Sequence, residues 1–212
     1  IMENGAIGSI HGANITPYGI GSWSDQEVAR AIRYGIHKSG RSLRFMPSFD
    51  FQGLSLEDVG SLIAYLRSVP AVAKPSHSNG YGPVAKLLTV TGQMPVMLPA
   101  KIIDGNQGFA TKPAEGPTAA FGKYLAQSCV GCHGPELRGG KIPGGDPNWP
   151  EAANIRLGAQ SAWTEATFKQ TIETGISPTT QQKLRAPMPI ALLAQMNPEE
   201  IQALWLYLSS LH

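Results

Sequence analysis

Residues 129–133 read Cys-Val-Gly-Cys-His, and they hold both cysteines of a 212-residue chain. C-x-x-C-H is the spacing of covalent haem attachment. Two thiols three positions apart can add to the two vinyl groups of one porphyrin. The adjacent His133 is then held beneath the ring, where its imidazole can ligate the iron. Three blander readings compete. A thioredoxin-like dithiol wants its C-x-x-C after a strand in a β-α-β pattern, but Ala119 to Ser128 precede this pair and Gly134-Pro135 follow it. A zinc knuckle needs a second ligand pair, and beyond His133 the chain has no Cys and a single His, His212. A lone disulfide between Cys129 and Cys132 closes too short a loop to stabilise much. Haem attachment leads, and a redox dithiol is the alternative that stays open.

The flanking sequence reads as helices. Thr118 to Ser128 forms a helix ending in the motif. Trp163-Thr164-Glu165 opens another that runs to about Thr174, with Gly175 as its stop. Asn197-Pro198-Glu199-Glu200 opens the last, with a capping side chain, Pro at the first helical position and acids in the first turn. Ile201, Leu204, Trp205, Leu208 and Leu211 then recur on one apolar face.

With Met188-Pro189 and this terminal amphipathic helix, the haem motif makes the chain resemble the class I cytochromes c. It is most similar to the multi-haem cytochrome subunits of periplasmic dehydrogenases. The resemblance implies an all-α fold in which Gly122 lets the first helix approach the last, and in which Gly134 to Asn154 wraps the haem edge. It implies haem c anchored by Cys129 and Cys132 and ligated by His133 and a methionine. Six methionines are available: Met2, Met46, Met94, Met97, Met188 and Met196. Met188 matches the family's ligand, presented from the Pro-stiffened loop Ala186-Pro187-Met188-Pro189. Met196 is the fallback, at a place that an apolar staple residue would take before the cap. Trp163 and Tyr207 read as packing residues.

An internal repeat extends the reading to the front of the chain. Ala13-Asn14-Ile15, Trp23, Ile32 and Gly35-Ile36 recur 140 residues later, seven identities in the 24 positions from 13 to 36. After a two-residue slip, Met46-Pro47, Glu57, Leu62, Tyr65, Leu66 and Ser68 recur at an offset of 142, again seven in 24. The expected organisation is two tandem cytochrome c-like helical domains. Residues 1–70 form a partial one, N-terminally truncated and lacking its C-x-x-C-H. Residues 71–113 form a Pro/Gly-rich linker, and 114–212 a complete domain. The offset places the missing motif just before Ile1, so a second haem is expected in the full-length protein, with Met46 as its axial candidate. The partial domain is expected to be the least stable part of the chain. His11, His37 and His77 read as exposed loop or helix-end residues.

Composition agrees with long connections: 24 Gly and 17 Pro, with 15% charged residues against about 25% in ordinary domains. The net charge of +2 is not carried by basic blocks, which argues against nucleic acid as a partner. Val84 to Ile103 is apolar, but Lys86, Gly92, Gln93, Pro95, Pro99 and Lys101 interrupt it, so no transmembrane segment is expected. A six-coordinate His/Met iron leaves no position for substrate, so the implied role is one-electron transfer, not catalysis. The resemblance further implies a periplasmic location, with peripheral association with the cytoplasmic membrane open. A dehydrogenase subunit would be the electron donor, and quinone, an oxidase or another cytochrome the acceptor in the respiratory chain. Two other classes stay open. One is a catalytic dihaem protein of peroxidase type; the other is a haem-lacking docking or redox-dithiol module.

Overall fold

The computed structural model describes residues 2–93, 98–143, 145–146 and 148–212. Met94 and Met97 lie outside the described residues. The chain divides into two compact units, Ile1–Ala110 and Thr111–His212.

In the first unit, α1 (Pro17–Ile20), α2 (Asp25–Tyr34) and α3 (Leu56–Ser68) surround a small core of Val28, Ile32, Val59 and Ile63. α2 starts at a reciprocal cap, Ser24 with Glu27, and stops at left-handed Gly35. The expectation of an all-α chain needs one correction. Three short strands, β1 (Met2–Asn4), β2 (Gly8–Ile10) and β3 (Gly80–Tyr81), form an antiparallel sheet in the order β1-β2-β3. Met2 pairs with Ile10 and Gly8 with Tyr81. Glycine makes this possible, because a Cβ on Gly8 would stand 2.0 Å from the Gly80 carbonyl oxygen.

The stretch expected as a linker is therefore not a free connector up to Ala110. Beyond β3 it forms α4 (Pro83–Val90) and α5 (Pro99–Ile102). Asn14 donates to the Val72 and Lys74 carbonyls, and the buried Arg33 guanidinium donates to the carbonyls of Gln52, Gln107 and Gly108. Pro and Gly here shape a strap bound through backbone groups, which composition alone does not reveal.

In the second unit, α6 (Ala119–Leu125) continues through a 3₁₀ turn, Ala126–Cys129, into the single turn α7 (Val130–His133). α8 (Glu165–Thr174), α9 (Ile190–Leu193) and α10 (Pro198–Ser209) follow. The caps fall where the sequence places them: Thr164 and left-handed Gly175 on α8, Asn197 with Glu200 on α10. Leu137, Leu157, Phe168, Ile172, Leu204 and Leu208 lie in its larger core. A Cβ on Gly122 would sit 1.9 Å from the Ala203 carbonyl oxygen, so α6 crosses α10 at backbone contact.

The sequence repeat is also a repeat of backbone hydrogen bonds. α2 and α8 occupy matching positions at the offset of 140. Trp23 N–H donates to Ile20 as Trp163 donates to Gln160, each at 3.0 Å. Leu43 N–H donates to Gly35 at 2.6 Å and Leu184 N–H to Gly175 at 2.7 Å. Ser48 N–H bonds the Met46 carbonyl at 2.8 Å and Ile190 N–H the Met188 carbonyl at 3.0 Å.

Candidate functional site

The turn 129–133 is positioned from both sides. Upstream, α6 is locked against α10 through Gly122. Downstream, Gly134 takes φ +78°, beyond what an L side chain tolerates readily, and reverses the chain immediately after the imidazole. The loop then folds back. Gly139 N–H donates to the His133 carbonyl at 2.8 Å, and Gly140 pairs with Ala152 in both directions. This brings the Ala153 carbonyl to 2.7 Å from His133 Nδ1.

That contact decides the tautomer. A carbonyl oxygen only accepts, so Nδ1 is the protonated donor, and the neutral ring with this hydrogen bond has its lone pair on Nε2. His133 is 7% exposed, so its ring is fixed by packing as well as by the hydrogen bond. Neither cysteine is in a disulfide, Cys129 being half-buried and Cys132 exposed. Burial pushes the Cys129 thiol up, against a smaller opposing pull from a hydrogen bond with Ser128. A thioredoxin-type nucleophile needs the opposite shift, so this weighs against the redox-dithiol reading. Among the described residues no cluster of three or more His, Cys, Asp or Glu is placed to hold a metal ion.

The donor set fits haem c. Two cysteines lie one helical turn apart, and the adjacent imidazole has its Nδ1 bonded to a backbone carbonyl, the arrangement that orients a histidine ligand. Trp163, Phe168 and Trp205 pack in series, with ring centroids 6.3 and 5.9 Å apart, so Trp163 is a packing residue as read. Tyr207 packs against the same core.

The two methionine candidates lie in different settings. Met196 packs against the core cluster, at the position that Leu54 occupies in the first unit's core. Met188 is half-buried in the loop before α9, outside that cluster. Met46 stands in the matching loop of the first unit, half-buried, directly after Phe45, whose φ of 60° is left-handed. Of the three histidines expected to be exposed only His77 is; His37 and His11 are half-buried, the His11 ring 5.2 Å from that of His77. Sequence reading missed Ala153, because a backbone carbonyl leaves no mark in residue identity; the Ala-Asn-Ile repeat was the signal at that place.

A turn offering two thiols and an oriented imidazole, with helices crossing at glycine contact beside it, is the arrangement of a c-type cytochrome. The cytochrome c family model matches residues 119–212, and over that stretch the chain belongs to the cytochrome c family, whose domain carries covalently bound haem c. The chain is 31% identical over 183 residues to the alcohol dehydrogenase (quinone) cytochrome c subunit of Gluconacetobacter polyoxogenes, covering 75% of this chain and 38% of that one. It is 30% identical over 136 residues to the gluconate 2-dehydrogenase cytochrome c subunit of Pantoea cypripedii, covering 61% and 30%. To the fructose dehydrogenase cytochrome subunit of Gluconobacter japonicus it is 27% identical over 227 residues, covering 96% and 45%. The chain thus spans less than half the length of each of these relatives. Among the described residues no helix is long and apolar enough to cross a membrane.

Proposed function

We propose that this chain is an electron carrier, holding one haem c on its second unit through thioethers from Cys129 and Cys132, with His133 and Met188 as axial ligands. The observation that carries this reading is the His133–Ala153 contact next to two cysteines that form no disulfide; it occupies Nδ1 and leaves Nε2 as the imidazole nitrogen for iron. When bound, haem c supplies a one-electron iron couple whose potential methionine ligation raises. Met188 supplies the thioether because its loop is free of core duty, whereas Met196 fills the place of a leucine. Phe168, Trp163 and Trp205 exclude water from the interior beside the site. With both axial positions taken, no coordination site remains for a substrate.

Residues 1–70 are read as the back part of a second cytochrome c-like domain, and 114–212 as a complete one. Besides the repeated hydrogen bonds, the surface of α3 supports this. In α10, Leu204 is 4% exposed beside α6; its counterpart Leu62 is 38% exposed, and Tyr65, the counterpart of Tyr207, is 66% exposed. A front helix bearing its own C-x-x-C-H would cover that face, and Met46 would ligate the second haem of the full-length protein. By likeness to the dehydrogenase subunits, the protein is periplasmic. It would take electrons from a dehydrogenase subunit and pass them to quinone, an oxidase or another cytochrome.

The test is mass analysis of the chain produced alongside a haem-maturation system. A haem adduct on the peptide containing Cys129 to His133 is expected, lost in the Cys129→Ala/Cys132→Ala variant; an unmodified peptide overturns the reading. Carbon monoxide should leave the Soret band of the reduced protein in place. A shift would mean an open iron and favour the peroxidase-like class.

A further inference from the structure

Between Glu27 and Asp50 the chain carries Arg30, Arg33, Lys38, Arg41 and Arg44 and no acidic residue. The cations are spaced, so no block stands out in the sequence. Arg33 is buried under the strap, while the other four are exposed. Folding gathers part of this run at one point. Ile36 bridges Ser42, His37 N–H donates to the Arg41 carbonyl at 2.9 Å, and Gly40 at φ +85° closes a tight hairpin with His37, Lys38 and Arg41 near its tip.

The tip is held in place. Lys38 Nζ donates to Ser22 Oγ at 3.0 Å and lies 5.9 Å from the centroid of the Trp23 ring; His37 meets that ring edge-on at 4.7 Å. Glu27 is the acid whose field reaches His37, and its carboxylate is already committed to the Ser24 N–H. Neither Lys38 nor Arg41 has a carboxylate partner among the described residues. Burial, and after it the positive fields of Arg41 and Lys38, hold His37 below its ordinary 6.5. The matching hairpin of the second unit, 176–183, reads Ile-Ser-Pro-Thr-Thr-Gln-Gln-Lys, with Lys183 as its one cation.

We propose that the hairpin 36–42 is the docking surface for a protein partner that presents clustered Asp and Glu carboxylates. The proposal rests on the electron-carrier reading and specifies the partner's chemistry. Cations without carboxylate partners on a braced hairpin attract a complementary acidic surface and speed encounter, and Lys38, already held by Ser22, loses little side-chain freedom on docking. A lipid surface fits less well, because stable seating there needs apolar side chains beside the cations, and residues 37–42 are His-Lys-Ser-Gly-Arg-Ser.

The test is an amide NMR titration of the haem-loaded chain with poly-L-glutamate, at low salt and in 0.5 M NaCl. Vesicles of phosphatidylglycerol and phosphatidylcholine serve as the parallel probe. The largest shifts are expected over 36–42, with 176–183 unmoved and the high-salt titration flat. Lys38→Glu/Arg41→Glu should weaken poly-glutamate binding about tenfold or more. Shifts spread evenly over all surface cations, or a double variant that binds as wild type, overturn the proposal. So does hairpin-dependent capture by vesicles with none by poly-glutamate, which would assign the hairpin to lipid. The absorption spectrum of the same sample reports haem separately. A sample without haem therefore fails the carrier reading on its own, whatever the hairpin does.

Discussion

α3 and α10 are the same helix in two settings. Each starts at a capping side chain, Ser55 or Asn197, each follows a Met-Pro loop, and at the offset of 142 they share Leu, Tyr and Leu on one face. In the second unit that face is closed by α6, which reaches backbone contact through Gly122. In the first unit Leu62 and Tyr65 are exposed, and Leu66 alone of the three packs against the small core. The difference teaches that caps and turns, which depend on local bonds, hold in both settings, while the burial of the shared face depends on what packs against it. Two elements partly compensate in the first unit: the three-stranded sheet and the Arg33 clamp on the strap.

The sharpest break between the units concerns their methionines. Met188→Ala should abolish the methionine-ligated low-spin spectrum of the haem-loaded chain, while Met46→Ala leaves it unchanged. A Met188→Ala protein that kept the spectrum would move the ligand to Met196. Next come the glycines of the paired helices. Gly122→Ala drives a methyl into the Ala203 carbonyl and should cost about 3 kcal/mol, read as a lowered melting temperature of the second unit. On α3, Gly60 has nothing within 4 Å of an added Cβ, so Gly60→Ala should instead stabilise the first unit by about 0.5–1 kcal/mol.

Arg33→Met tests the clamp. It leaves the carbonyls of Gln52 and Gly108 without the guanidinium donor and Gln107 with only the Tyr34 hydroxyl, and should cost the first unit about 2 kcal/mol, with faster amide exchange over 104–110. The smallest effect is a pH dependence confined to the first unit. With His37 held below 6.5, the unfolded chain binds its proton first, so stability falls as pH drops through that value. His37→Gln should flatten this slope in urea melts between pH 7 and 5, with the second unit unaffected.

Much of this was legible in the sequence, for reasons that can be named. Caps such as Asn197 with Glu200 and stops such as Gly175 act within one turn, so residue identity reports them directly. The crossing at Gly122 was legible only through resemblance. The small sheet was not legible at all: Gly80-Tyr81 has no strand pattern of its own, and it pairs because Gly8, more than seventy residues earlier, lets the two backbones meet. The hydrogen bonds that hold the strap were not legible, because they run from side chains such as Asn14 and Arg33 to its carbonyls, which every residue carries.

By itself the sequence determined the chemistry of this protein. Two thiols and an imidazole in five residues carry their meaning at short range, and turn and cap residues repeat at offsets of 140 and 142. The tertiary structure decided what depends on distance along the chain. It sets the imidazole tautomer through Ala153, twenty residues on, and separates Met196 in the core from Met188 in its loop. It also gathers Lys38 and Arg41 onto a hairpin beside Trp23. Each of these is a contact between residues whose local sequence is silent about its partner, so only the folded chain could supply it.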